Sequence, residues 1–205
     1  ASIQEIIRRY FRYMADYATG TADKAAVDRV KLLMDDLGVT ELDRKVVAPA
    51  RKAAKEAETQ GKGNNNVYCG AALELPDGTI VTGKNSPLLH AASSCILNAI
   101  KLLAKLPDDL LMLSPEVIDS VSQLKKNVFK NREVSLDLAE TLTALSVSVP
   151  TNSAARLAMR KLPQLAGCEM HISHLPTAGD EAGLRKLGIR LTSEPVFTSR
   201  NLFME

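Results

Sequence analysis

The sequence predicts an α/β sandwich, one sheet with helices on both faces. Three observations predict it. From Val67 onward, short β-branched and apolar runs alternate with runs of helical periodicity. Residues 2–60 carry helical periodicity throughout. The chain has 205 residues and 45% hydrophobic content, enough for one substantial core.

The elements follow in order. Ile3, Ile6, Ile7, Tyr10 and Met14 mark one face of a first helix that Gly20 ends. Val27, Val30, Leu33, Met34 and Leu37 mark a second, with Gly38 just past its end. A third is expected over 41–60, kinked or broken at Pro49. The turn-rich GKGNNN (61–66) is the best internal boundary, which divides the chain into a helical segment (1–60) and an α/β domain (67–205). A hairpin follows. Its strands are expected over 67–75 and 79–83, and Pro76-Asp77-Gly78 forms the turn: Pro presets φ and Gly accepts positive φ. Ser86 and Pro87 are expected to cap a buried helix over 88–105, whose small first-turn residues can lie against a sheet. A short strand ending at Ser114 and a helix from Pro115 to Lys126 come next. Helices over 133–149 and 151–162 are divided by Pro150 and closed by Pro163. CEMHISHL reads as a strand. A last helix is capped by Gly188, and a last strand ends the pattern.

Composition excludes several classes. Net charge is +2 with the signs interspersed, so nothing marks a nucleic-acid partner. Aromatics are 4% and Trp is absent, which leaves no stacking platform for single strands. The longest apolar runs fall short of a membrane span. No signal peptide is visible; Ala1 in place of Met, leading straight into a helix, predicts a processed or excised piece. Cys69, Cys95 and Cys168 are widely spaced among apolar neighbours, which predicts free buried thiols in a reducing, cytoplasmic setting. No cofactor is expected.

The hairpin followed by a helix near His90 raises a chemical question. A zinc nucleobase deaminase holds its metal with H-x-E on one helix and P-C-x-x-C on another. Here the first motif reads His90-Ala91-Ala92 and the second Pro115-Glu116-Val117-Ile118-Asp119. The glutamate and both cysteines are missing. The region 67–120 thus resembles the cytidine-deaminase-like fold with its catalytic signature dismantled. That resemblance implies a three-layer α/β/α sandwich, and loss of the acid/base group alone implies a rate loss of ~10²- to 10⁴-fold. One imidazole and two carboxylates, His90, Glu116 and Asp119, would suit a hard divalent ion; acids in a first helical turn also simply complement the helix dipole. Gly78 to Lys84 fits the spacing of a phosphate loop, but its intervening residues are β-branched and read as strand. His171 and His174 on a strand would point to opposite faces. Arg8, Arg9 and Arg12 read as the solvated face of a docking helix.

Over nearly the whole chain, segments such as QEIIRRYF, LPDGTIVTGKNSPLL, ASSCILNAIK, LAGCEMHISH and GLRKLGIRLTSEPVF resemble the C-terminal part of the bacterial uncharacterised protein family 0371, domain of unknown function 1846. The resemblance implies a longer parent whose N-terminal portion is a partner of this domain. It implies no activity.

The functional expectation is a binding or assembly module, homo-oligomeric, that takes a small polar or anionic ligand between two helix N-termini. The candidate cleft is Asn85, Ser86, His90, Ser93, Ser114, Glu116 and Asp119. The rival expectation is an enzyme, either metal-dependent through His90, Glu116 and Asp119 or completed by the N-terminal portion.

Overall fold

The computed structural model describes residues 2–198; residue 1 and residues 199–205 of the expected α/β domain lie outside them. The described chain forms eight α-helices and a four-stranded sheet. Helices α1 (Ser2–Ala18), α2 (Lys24–Asp36) and α3 (Val47–Thr59) come first, with one 3-10 turn at Glu41–Asp43. Pro49 sits in the first turn of α3 and kinks nothing, because an N–H there has no intrahelical partner to lose. On α2 the buried residues are Val27, Val30 and Met34; Leu33 and Leu37 of the expected face are exposed.

In the linker, Asn65 and Asn66 both adopt positive φ, and Asn64 and Val67 exchange two main-chain hydrogen bonds across them. Asparagine tolerates this region better than most residues. The hairpin then forms at the expected turn, with strands over 70–74 and 80–84 in place of 67–75 and 79–83. β1 (Gly70–Glu74) pairs antiparallel with β2 (Ile80–Lys84), Gly78 takes φ +86, and the Asp77 carboxylate accepts the Thr79 N–H.

The next helix starts later than the sequence suggested. Ser86 Oγ accepts the N–H groups of Leu88 and Leu89, closing a separate turn. Leu89 then bridges to Leu136, and α4 runs Ala91–Leu103 with His90 at its N-cap. Its small residues do let it lie on the sheet: a Cβ on Gly83 of β2 would overlap the main chain of Cys95. The expected strand at 110–114 is absent. Met112 and Leu113 are buried while Leu111 is exposed, and no neighbouring strand offers this stretch a ladder. Ser114 caps α5 (Pro115–Asn127) by accepting the Val117 N–H.

Helix α6 (Leu138–Ser148) begins five residues after the expected start at 133, where Asp137 and Glu140 form a reciprocal cap. Helix α7 (Ser153–Met159) ends before Pro163, which lies inside a 3-10 turn at Leu162–Leu165. Strand β3 (Glu169–Ile172), α8 (Ala178–Lys186) and β4 (Arg190–Ser193) complete the chain.

The sheet order is β2-β1-β3-β4, with β1 antiparallel to both neighbours and β4 parallel to β3. Alternate residues of β1 face opposite layers. Ala71 and Leu73 join the main core with α4, α6, α7 and α8; Ala72 packs on Val46 and Ala50 at the start of α3. Helix α1 lies on the α3 side, where Phe11 meets the His171 ring at a centroid distance of 4.7 Å. Helices therefore cover both faces. Buried Arg44 ties these layers together: its guanidinium donates to the main-chain carbonyls of Met170 (3.0 Å) and Arg190 (2.8 Å), to Thr192 Oγ1 (2.9 Å) and to Glu169. No helix among the described residues is long and apolar enough to cross a membrane.

Candidate functional site

Three helix N-termini converge on one polar centre. They belong to α4, capped by His90; α6, capped by Asp137; and α8, capped by Thr177. The approach is close, since a Cβ on Gly179 would overlap the Asp137 carboxylate. At the centre lies Asp180, in the first turn of α8 and 2% exposed. Its Oδ1 accepts the Leu138 N–H at the start of α6 (2.9 Å). Its Oδ2 accepts the Thr177 hydroxyl (2.9 Å) and faces His90 Nδ1 at 2.7 Å. Burial favours the neutral acid, but His90 and these hydrogen bonds outweigh it and hold the carboxyl below its usual range.

An ionised Asp180 fixes the tautomer of its partner: the proton sits on His90 Nδ1, and Nε2 is left for other work. The His90 side chain is 16% exposed, and its Nε2 has no hydrogen-bonding partner among the described residues. Burial disfavours the imidazolium, yet the hydrogen bond and charge of Asp180, with Asp137 beyond it, more than compensate, and His90 titrates above its ordinary value.

Two neighbours complete the centre. His174 is buried with its Nδ1 unpartnered among the described residues, and burial pushes its pKa down to about 4. Cys69 is buried within the field of Asp180, and its thiol is pushed up to about 12. At neutral pH it is a protonated thiol, not a nucleophile. Lys125, itself buried, donates from Nζ to the Ser135 carbonyl (2.6 Å) and pairs with Glu140 (2.7 Å).

The family described as domain of unknown function DUF1846, C-terminal, matches residues 42–203. The chain belongs to this family. UPF0371 proteins are its relatives: that of Clostridium botulinum (strain Alaska E43 / Type E3) is 45% identical over 204 residues, and that of Clostridioides difficile (strain 630) 43% over 203. A third, from Fusobacterium nucleatum, is 44% identical over 207 residues. Each comparison covers 99% of this chain but only 40–41% of the relative. The chain thus spans about 40% of the length of the curated relatives it matches.

In this DUF1846 domain the residues anticipated as a cleft are dispersed in role. Asn85 holds the hairpin closed: its Oδ1 accepts the Cys69 N–H (2.8 Å) and its Nδ2 donates to the Val67 carbonyl (2.9 Å). Ser86 closes its own turn, and buried Ser93 donates to the Leu136 carbonyl (3.2 Å). Ser114 is a helix cap. Glu116 and Asp119 are exposed on α5. No hydrogen bond or ion pair joins them to His90 among the described residues; the acid against the imidazole is Asp180. Among the described residues no group of three or more His, Cys, Asp or Glu is placed to hold a metal, so His90, Glu116 and Asp119 are not assembled as one. His171 faces the α1 layer, with Nδ1 at 2.8 Å from Thr192 Oγ1 and Nε2 at 3.1 Å from Glu194. His174 instead lies within the field of Asp180 and His90.

Sequence reasoning missed Asp180, Thr177, Asp137 and His174 as parts of the centre. A usable signal was present. Thr177-Ala178-Gly179-Asp180 has the S/T-x-x-D/E spacing of a helix start, which places an acid over the helix N-terminus.

Proposed function

We propose that the DUF1846 C-terminal domain is a binding module whose contact group is His90, and that it takes a small polar ligand carrying a carboxylate or phosphate. The observation that carries this reading is the 2.7 Å contact of His90 Nδ1 with the buried Asp180 carboxylate. That contact orients the ring, raises its basicity and leaves Nε2 free of the carboxylate. A protonated Nε2–H donates a charge-assisted hydrogen bond, the stronger kind, to an anionic oxygen. Convergent helix N-termini would add attraction for an anion. Asp137 and Asp180 already accept N–H groups at the start of α6, and Thr177 caps α8, so selectivity rests on the imidazole and not on the dipoles. A deaminase-like origin belongs to this reading, supported by the hairpin that leads into a helix capped by His90. So does the assignment of the larger domain to 67–205, with residues 1–60 joining it to the rest of the longer family chain.

A second reading is supported by the same dyad. A carboxylate that fixes a histidine tautomer is also the arrangement of a general base. The Cys69 thiol is held protonated by burial, so an enzyme built on this centre would use His90 as a base on water, on a substrate, or on a group brought by the rest of the longer chain.

The test is a calorimetric titration of the 205-residue chain with inorganic phosphate and with acetate, on the unmodified chain, on His90→Gln and on Asp180→Asn. The module reading expects saturable binding that His90→Gln abolishes and Asp180→Asn weakens. Equal heats for the unmodified chain and His90→Gln would defeat it.

A further inference from the structure

Among the described residues, strand β4 (Arg190–Ser193) is an edge of the sheet. Its parallel pairing with β3 fixes which main-chain groups turn inward. The Arg190 N–H donates to the Cys168 carbonyl and the Glu194 N–H to the Ile172 carbonyl, each at 2.9 Å. Main-chain direction alternates along a strand, so Leu191 and Ser193 turn their N–H and C=O groups outward. Among the described residues these outward groups meet no hydrogen-bonding partner.

They face a hollow of about 1210 Å³. One wall is α1, packed on one side of the sheet; the other is α8, packed on the opposite side. Residues of both helices line the hollow beside the Leu191 and Ser193 edge, and among the described residues no strand occupies the position one strand-spacing further out, ~4.8 Å away. Unpaired sheet edges are normally blunted or covered.

We propose that this slot receives an extended segment of the longer family chain, which adds to β4 as a fifth strand through the main chain of Leu191 and Ser193. Strand addition of this kind draws its affinity from main-chain hydrogen bonds. Two observations select the occupant. The curated relatives are long enough to supply it, because this domain spans only 40–41% of their length. Ser2 at the start of α1 lines the same hollow, so a family chain that continues before this residue leads into the slot. The walls carry both signs, with Glu5, Arg12 and Asp16 on α1 and Glu181 and Arg185 on α8. A uniformly charged partner such as a nucleic acid finds no matching field there, whereas a chain segment of mixed polarity does.

Amide hydrogen exchange, compared between the 205-residue chain and the longer chain that carries it, decides the matter. The Leu191 and Ser193 amides should exchange roughly a hundredfold more slowly in the longer chain, while the inward amides of Arg190 and Thr192 are slow in both. Equal exchange at Leu191 and Ser193 in both proteins overturns the proposal. Protection already present in the 205-residue chain also overturns it: loss on dilution would assign the slot to a second copy, and independence of concentration to residues 199–205. As a second arm, Leu191→Pro removes an outward N–H at a position where an edge strand accepts proline, and Leu191→Ala, which loses the same packing on the core but keeps the N–H, is its control. In the longer chain the proline variant should speed protease cleavage outside this domain by roughly tenfold or more over the alanine control, through local release; unchanged cleavage of a folded proline variant contradicts the proposal.

Discussion

Replacing His174 with phenylalanine should make the fold resist acid better. The imidazole is 8% exposed, its Nδ1 has no hydrogen-bonding partner among the described residues, and burial lowers its pKa from 6.5 to about 4. The sign follows from proton binding. The unfolded chain takes up a proton at His174 as pH falls through 6.5, while the folded chain does so only near 4. Stability from this group is therefore present above 6.5 and is lost progressively between 6.5 and 4. With those two values the loss between pH 7 and pH 5 is about 2 kcal/mol, and it approaches about 3 kcal/mol below pH 4. Phenylalanine keeps the ring shape, carries no titrating group and leaves no buried nitrogen unsatisfied. His171, also held below its ordinary value by burial, contributes with the same sign in both proteins and cancels in the comparison. Urea unfolding followed by circular dichroism, at pH 7 and pH 5, gives the two free energies. The phenylalanine variant should lose about 2 kcal/mol less than the unmodified chain over that interval. Parallel losses in the two proteins would refute the reasoning and mean that His174 is solvated or paired.

Three further outcomes are expected. Asp180→Asn keeps an acceptor for the Leu138 N–H but loses the charge against His90; it should cost about 1–3 kcal/mol in urea unfolding, and a cost near zero would contradict the buried-carboxylate account. Gly83→Ala places a methyl group against the Cys95 main chain and should lower thermal stability by about 1–3 kcal/mol or more, since α4 cannot move without parting from the sheet; an unchanged melting temperature would show that the contact yields. Arg44→Met leaves Glu169 with Arg8 at 2.6 Å but strips two main-chain carbonyls of their charged donor, so a loss of about 3 kcal/mol is expected at neutral pH, and a variant as stable as the parent would contradict the role given to Arg44.

The parts of the fold legible in the sequence are those written in local chemistry. Pro76-Asp77-Gly78 announces its hairpin because only Gly78 has to take positive φ and only Asp77 can accept the Thr79 N–H. Glycines after α1, α2 and α8 mark helix ends for a similar reason. What local chemistry could not settle was competition from distant chain. Ser86-Pro87 has the composition of a helix cap, but Leu88 and His90 instead exchange main-chain hydrogen bonds with Leu136, and that bridge delays α4 to Ala91. The run from Leu110 to Leu113 has strand composition but no ladder partner, and a strand without one is no strand. The site divides in the same way. His90 was legible as a polar residue at the head of an apolar helix. Its partner was not, because Asp180 lies 90 positions away (180 − 90) and looks like an ordinary first-turn acid. Glu116 has that same appearance on α5 and is simply exposed, as is Asp119 one turn further on. Sequence position identifies first-turn acids; only the convergence of α4, α6 and α8 distinguishes the one that meets His90.

The account rests on His90 as an oriented, elevated imidazole, and a nitrogen-detected NMR titration of its ring tests that most directly. The account predicts a proton on Nδ1 in the neutral form and a midpoint above 6.5 that falls in Asp180→Asn. It also predicts that inorganic phosphate shifts the Nε2 resonance and raises the midpoint further. A midpoint at or below 6.5, a neutral form protonated on Nε2, and no response to phosphate would contradict it.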